Sequence, residues 1–167
     1  MLKLTGLLLL FSSCTLFGTY RALQLGERAK AVGRMIDFWR QFALQLEALR
    51  ASPAQLVHML AAEQEFAGDR FFSLLDNSFD SGSFKQALCS AVSAVPQLKS
   101  WGIAQAVLPL GDIIGVRELE TQLAEIASVI LRLTKIQDIA EMEREQKGGL
   151  YQRLGVMAGI LCVVIFF

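Results

Sequence analysis

The chain is poor in the residues from which common chemical sites are built. It has one histidine and three cysteines in 167 residues. A structural zinc site needs about four nitrogen or sulfur ligands at short spacing, and neither Cys-x-x-Cys nor a histidine pair occurs. Cys14, Cys89 and Cys162 are odd in number and far apart. They make no disulfide framework and fit a reducing compartment around the middle of the chain. No Gly-rich run ending in Gly-Lys-Ser/Thr is present, so the chain cannot itself be a P-loop ATPase. Net charge is lacking too, since 16 basic residues balance 16 acidic ones. That removes any general attraction to nucleic acid.

Apolar residues are abundant instead. They make up 53% of a chain whose charged fraction is 19%, which argues against disorder. The length suits one ordinary domain, but the apolar excess gathers at the two ends. Leu4 to Tyr20 is 17 residues without a charge. At about 1.5 Å per residue it reaches roughly 26 Å, close to the hydrocarbon thickness of a bilayer. A cleaved signal peptide is the rival reading, with Lys3 as its basic start, yet no Ala-x-Ala site precedes Arg21. A lipoprotein signal ending at Cys14 is a second rival, but the chain stays apolar to Phe17. An uncleaved anchor over 1–20 is therefore expected.

The other end, Leu154 to Phe167, has 14 uncharged residues. That is short of a full span unless Leu150, Tyr151 and Arg153 join it, with Arg153 reaching back to the headgroups. A second transmembrane segment over 150–167 is expected, with a buried core helix as the alternative. Tyr20 and Tyr151 would then sit at one interface. Arg21, Arg28, Lys30, Arg34, Arg144, Lys147 and Arg153 lie on the inner flanks of the spans. The positive-inside rule puts residues 21–149 in the cytoplasm and both termini outside. Gly155 and Gly159 form a Gly-x-x-x-Gly pair that would let another helix approach closely. Glycines tolerated in lipid without packing read equally well.

The middle of the chain has helical periodicity and no strand alternation. Val32, Ile36, Trp39, Ala43, Leu46 and Arg50 recur at 3–4 spacing, widened by Met35, Phe42 and Leu49. Ser52-Pro53-Ala54-Gln55 reads as a capping box that opens a second helix, with Leu56, Val57 and Leu60 inward. Gly68-Asp69 opens a short helix through Phe71, Phe72 and Leu75, and 76–82 reads as a polar turn. Ser83-Phe84-Lys85-Gln86 reads as a second capping box, followed by Ala87, Leu88, Ala91, Val92 and Val95. Pro96 starts another helix carrying Trp101, and 109–115 reads as a loop or kink. Leu119, Leu123, Ile126, Ile130 and Leu133 repeat at 4-3-4-3, near the coiled-coil period. That last helix is expected over about 116–147, loosened at Gly148-Gly149. The sum is an all-α bundle of about six helices with transmembrane segments at both ends.

Side chains that could carry chemistry are isolated. His58 stands beside apolar Val57 on a helix, where a lone histidine is usually structural or at the surface. Cys89 has no histidine near it in sequence to act as its base. Glu141, Glu143, Arg144, Glu145 and Lys147 read as a solvated helix face with i,i+4 pairs such as Glu143–Lys147, or as a docking surface. No catalytic residue, cofactor or metal is expected, and so no enzyme.

Leu110-Gly111-Asp112-Ile113-Ile114-Gly115, followed by Glu118 and Gln122, resembles the pattern F-G-x-x-L-G-x-x-D-x-x-x-Q of the stage III sporulation protein AB family of endospore-forming bacteria. Leu110, Ile114 and Glu118 stand where the family has Phe, Leu and Asp. The resemblance extends over the whole chain, from Met1-Leu2-Lys3-Leu4 and Gly6, through Gly18, Ala22, Leu25, Glu27-Arg28, Leu46-Glu47 and Pro53, to Leu154-Gly155 and Ala158-Gly159. It implies a multi-pass protein of the mother-cell membrane facing the forespore. There it would belong to a secretion-like channel complex, with a helical domain similar to the platform protein F of type II secretion and type IV pilus systems. The implied partners are the other proteins of the stage III sporulation A complex, including the cytoplasmic ATPase, stage III sporulation protein AA. The lipid bilayer is a further partner, self-association is left open, and nucleic acid is not implied.

The matched residues also have a physical reading. Gly111 and Gly115 flank a connection where a positive φ or a close backbone approach favours glycine. Glu118 and Gln122 share one face at the start of the last helix, where an acid suits the helix dipole. A helix-start device and a partner contact are both open at these four positions. A membrane-anchored regulatory domain with a small ligand is the competing function, and would need a pocket with convergent polar groups.

Overall fold

The computed structural model describes the backbone of residues 2–81 and 83–166, with the side chains of 26–79 and 83–147 and of scattered positions nearer the ends. Every regular element among the described residues is helical. The first helix, α1 (Leu2–Leu49), stops where Arg50 takes a positive φ of 48°. Ser52 then caps α2 (Pro53–Ala61). Its Oγ accepts from Gln55 N and its own N–H donates to Gln55 Oε1, each at 3.4 Å, so the expected capping box forms with proline in the first turn. Asp69 caps α3 (Arg70–Asn77) by accepting from Phe71 N at 3.0 Å.

Several expectations are corrected from here on. Residues 76–82 are not an open turn, because α3 runs to Asn77 and a 3-10 turn, Ser78–Ser81, follows. Ser83 does precede α4 (Phe84–Ala94), but its side chain makes no cap bond, so the second capping box is not formed. The next two helices, α5 (Pro96–Ser100) and α6 (Ile103–Val107), are separated by Gly102 at φ 80°, and the expected loop over 109–115 begins as a 3-10 turn (Leu108–Asp112) before it continues as irregular turn to α7. The last helix, α7 (Leu119–Phe166), begins at Leu119 rather than Val116 and passes through Gly148-Gly149 unbroken. A glycine inside a helix costs about 1 kcal/mol without ending it. The total is seven α-helices among the described residues, against about six expected.

The chain divides into two compact units, Val32–Ile136 and Met1–Ala31 with Gln137–Phe167. The first holds the aromatic core. Phe38 stacks on Phe72 at 4.4 Å and meets Phe66 and Trp39 edge-on at 5.4 and 5.3 Å. Such pairs add about 0.5–1.5 kcal/mol each beyond the area they bury. Leu56, Val57, Leu60, Phe71, Leu75, Ala87, Leu88 and Ala91 complete the core together with Ile126, Val129 and Leu133 of α7. Leu119, Leu123 and Ile130 pack against it half-buried. Leu49, assigned inward by its spacing, is 57% exposed because the helix ends there.

In the second unit, the Arg28–Glu143 ion pair at 2.9 Å joins α1 to α7, and Ala29 and Ala140 are buried. Among the described residues, no helix is long and apolar enough to cross a membrane. Most side chains of 4–20 and 154–167, on which the expected spans rest, lie outside those described, and so do the surroundings of Gly155 and Gly159.

Candidate functional site

The residues from the 3-10 turn to the start of α7 fold into two successive tight contacts. At the first, the turn crosses the start of α4. A Cβ placed on Gly111 would stand 3.2 Å from Lys85 Cα, closer than ordinary van der Waals contact, so any side chain there would press on the α4 backbone. Beside it, Lys85 Nζ donates to Asp112 Oδ1 at 2.6 Å, and this bond holds the lysine pKa above its ordinary value. Both side chains are exposed, so the bond adds little to stability.

At the second contact, Gly115 reverses the chain at φ 79°. Gln122 then reaches back from the first turn of α7. Its Oε1 accepts from Gly115 N at 3.2 Å and its Nε2 donates to Arg117 O at 2.6 Å. One buried amide thus satisfies a donor and an acceptor of a turn that has no ladder of its own. Glu118 lies outside this clasp. It is exposed, and its carbonyl oxygen accepts from Gln122 N at 3.0 Å in the first turn of α7. The acid inside that turn is Glu120.

The turn forms one wall of a cleft of about 500 Å³. Leu46, Arg50, Ala51 and Pro53 line it from the α1–α2 connection, and Gly115, Glu118, Leu119, Glu120 and Gln122 from the start of α7. Three of the four motif residues therefore meet at one place, and Gly111 does not. Sequence reasoning missed Arg50 and Glu120 as part of this region. Arg50 was read as one more position of an amphipathic stripe, and only its positive φ distinguishes it.

Other singled-out side chains lie elsewhere. His58 is exposed, with Nδ1 at 3.1 Å from each Asp76 oxygen, linking α2 to α3. Cys89 is an exposed free thiol. Glu143 accepts from Lys147 Nζ at 3.0 Å as its spacing predicts, and also from Arg28. The lysine bond first and the arginine charge after it hold the Glu143 carboxyl below its ordinary pKa. Among the described residues, no cluster of three or more His, Cys, Asp or Glu is placed to hold a metal.

No match is found among the curated proteins or the solved structures. The family model described as stage III sporulation protein AB matches residues 3–167, which includes the Gly115–Gln122 clasp and the walls of the cleft. On that match, the chain belongs to the stage III sporulation protein AB family.

Proposed function

We propose that this sporulation protein is a non-enzymatic adaptor or platform of the secretion-like channel complex between mother cell and forespore. Two apolar ends anchor it in the mother-cell membrane, and residues 21–149 face the cytoplasm. There they dock other stage III sporulation A proteins, including the cytoplasmic ATPase. The family match over 3–167 is the observation that carries the reading. A cleft at the family motif, open at the edge of the core and walled by Leu46 and Leu119 of its margin, supports it, because an adaptor needs a surface its own packing does not fill.

The experiment is affinity purification of the tagged, detergent-solubilised chain from sporulating cells. Recovery of the stage III AA ATPase in stoichiometric amount is expected. Its absence while other membrane proteins of the complex co-purify would assign the docking role to another subunit. Fusions at the C-terminus test the anchors, since a cytoplasm-specific reporter should be inactive there if both ends cross. The competing reading, a ligand-regulated domain, draws on the same cleft, whose volume is also that of a small-molecule site.

A further inference from the structure

We propose that the cleft beside the Gly115 turn is a socket for a short segment of a partner protein that presents an acidic and a basic side chain around an aliphatic one. This rests on the adaptor reading and gives the docking surface a chemistry. Leu46, Ala51, Pro53 and Leu119 supply apolar walls. Gln122 lines the cleft as well, and an amide carries two N–H donors and two acceptor lone pairs, of which the clasp uses one of each. A space of about 500 Å³ takes a few side chains rather than a domain surface.

The charges fix what kind of segment fits. Arg50 comes from the α1–α2 side, and Glu118 and Glu120 come from the α7 side. All three are exposed and, like Glu47, Arg117 and other surface charges among the described residues, make no ion pair; what sets them apart is that they line one cleft with opposite signs on its two sides. Arg50 is also held where a side chain is costly. Its N–H caps α1 by bonding Leu46 O at 3.2 Å in a left-handed conformation that favours glycine or asparagine. Leu49 and Val116, 57% and 75% exposed, carry apolar surface beyond the cleft. An incoming acid would meet Arg50, a base would meet Glu118 and Glu120, and the aliphatic side chain would rest on Pro53 and Leu119.

The test is an amide NMR titration of the detergent-solubilised full chain with two probes, acetyl-Glu-Leu-Leu-Lys-amide and its neutral counterpart acetyl-Gln-Leu-Leu-Gln-amide. Saturable shifts at Gly115 and Leu119 are expected with the charged peptide, and binding at least about tenfold weaker with the neutral one. Arg50→Gly should weaken the charged peptide by a similar factor while raising the thermal midpoint, because glycine relieves the strained cap. That variant cannot fail by unfolding, so undiminished binding by it would overturn the role of Arg50 and with it the socket. Equal affinity for both peptides, or no saturable shift, would overturn the proposal directly. If the peptide fails but the ATPase still co-purifies, the socket falls and the adaptor reading stands. If the peptide binds and no partner co-purifies, the socket chemistry stands and the adaptor reading falls.

Discussion

Gln122 shows how a single side chain decides where a helix begins. Helix periodicity alone carries α7 back to Val116, but the chain there is spent on a left-handed Gly115 and on the backbone groups that Gln122 clasps. Gln122→Ala leaves Gly115 N–H and Arg117 C=O without that partner. Gln122→Glu keeps an acceptor for Gly115 but sets a carboxylate against the Arg117 carbonyl. Thermal unfolding followed by circular dichroism should therefore rank wild type above both variants, with no rescue by Glu. Gly115→Ala should cost about 1–2 kcal/mol through its backbone conformation. Gly111→Ala should cost roughly 1–3 kcal/mol for a different reason, the overpacking of its Cβ against Lys85. The two glycines were legible in the sequence as a pair, because they belong to the matched family pattern and flank a connection between helices. Their separate causes were not, since a positive φ and a close approach leave the same residue behind.

At the scale of elements, what the sequence disclosed was the face each helix buries. The Ser52 box and the Asp69 cap are local chemistry, complete within a few residues, and both form as read. Ser83 had the same local pattern and makes no cap bond. Phe66 was invisible to periodicity because it lies in the turn before α3, yet it is fully buried against Phe38 and Phe72. The α7 stripe was legible to within its edges. Ile126 and Leu133 are fully buried, Leu119, Leu123 and Ile130 only half, and Val129 joins them inward. Ile126→Ala should accordingly cost about 2–5 kcal/mol. Leu131→Ala on the exposed side should stay within about 0.5 kcal/mol. A smaller loss at Ile126 than at Leu131 in denaturant unfolding would mean that the helix is rotated about its axis.

The whole molecule separates what holds the core from what holds the ends. Every residue of the hydrophobic cluster falls between Val32 and Leu133, so a fragment of residues 32–136 should fold as a highly helical domain without detergent. The terminal parts of α1 and α7 are joined differently, through the charges around Glu143, with Ala29 and Ala140 buried nearby in sequence. Those charges give the full chain a pH dependence that the fragment lacks. A carboxyl whose folded pKa lies below its unfolded value stabilises the fold above the unfolded value, and that contribution is lost as the pH falls through the folded one. Glu143 is such a group, held down by Lys147 and Arg28. Its contribution should be complete at neutral pH and should fade as the pH drops below the usual glutamate range, about 4. The effect is small, because the pair is partly exposed and screened by salt. Glu143→Gln should lower the thermal midpoint of the full chain at pH 7, and lower it less at a pH acid enough to protonate wild-type Glu143 in the fold. Equal destabilisation at both pH values would mean that Glu143 holds the two helices by packing rather than by charge.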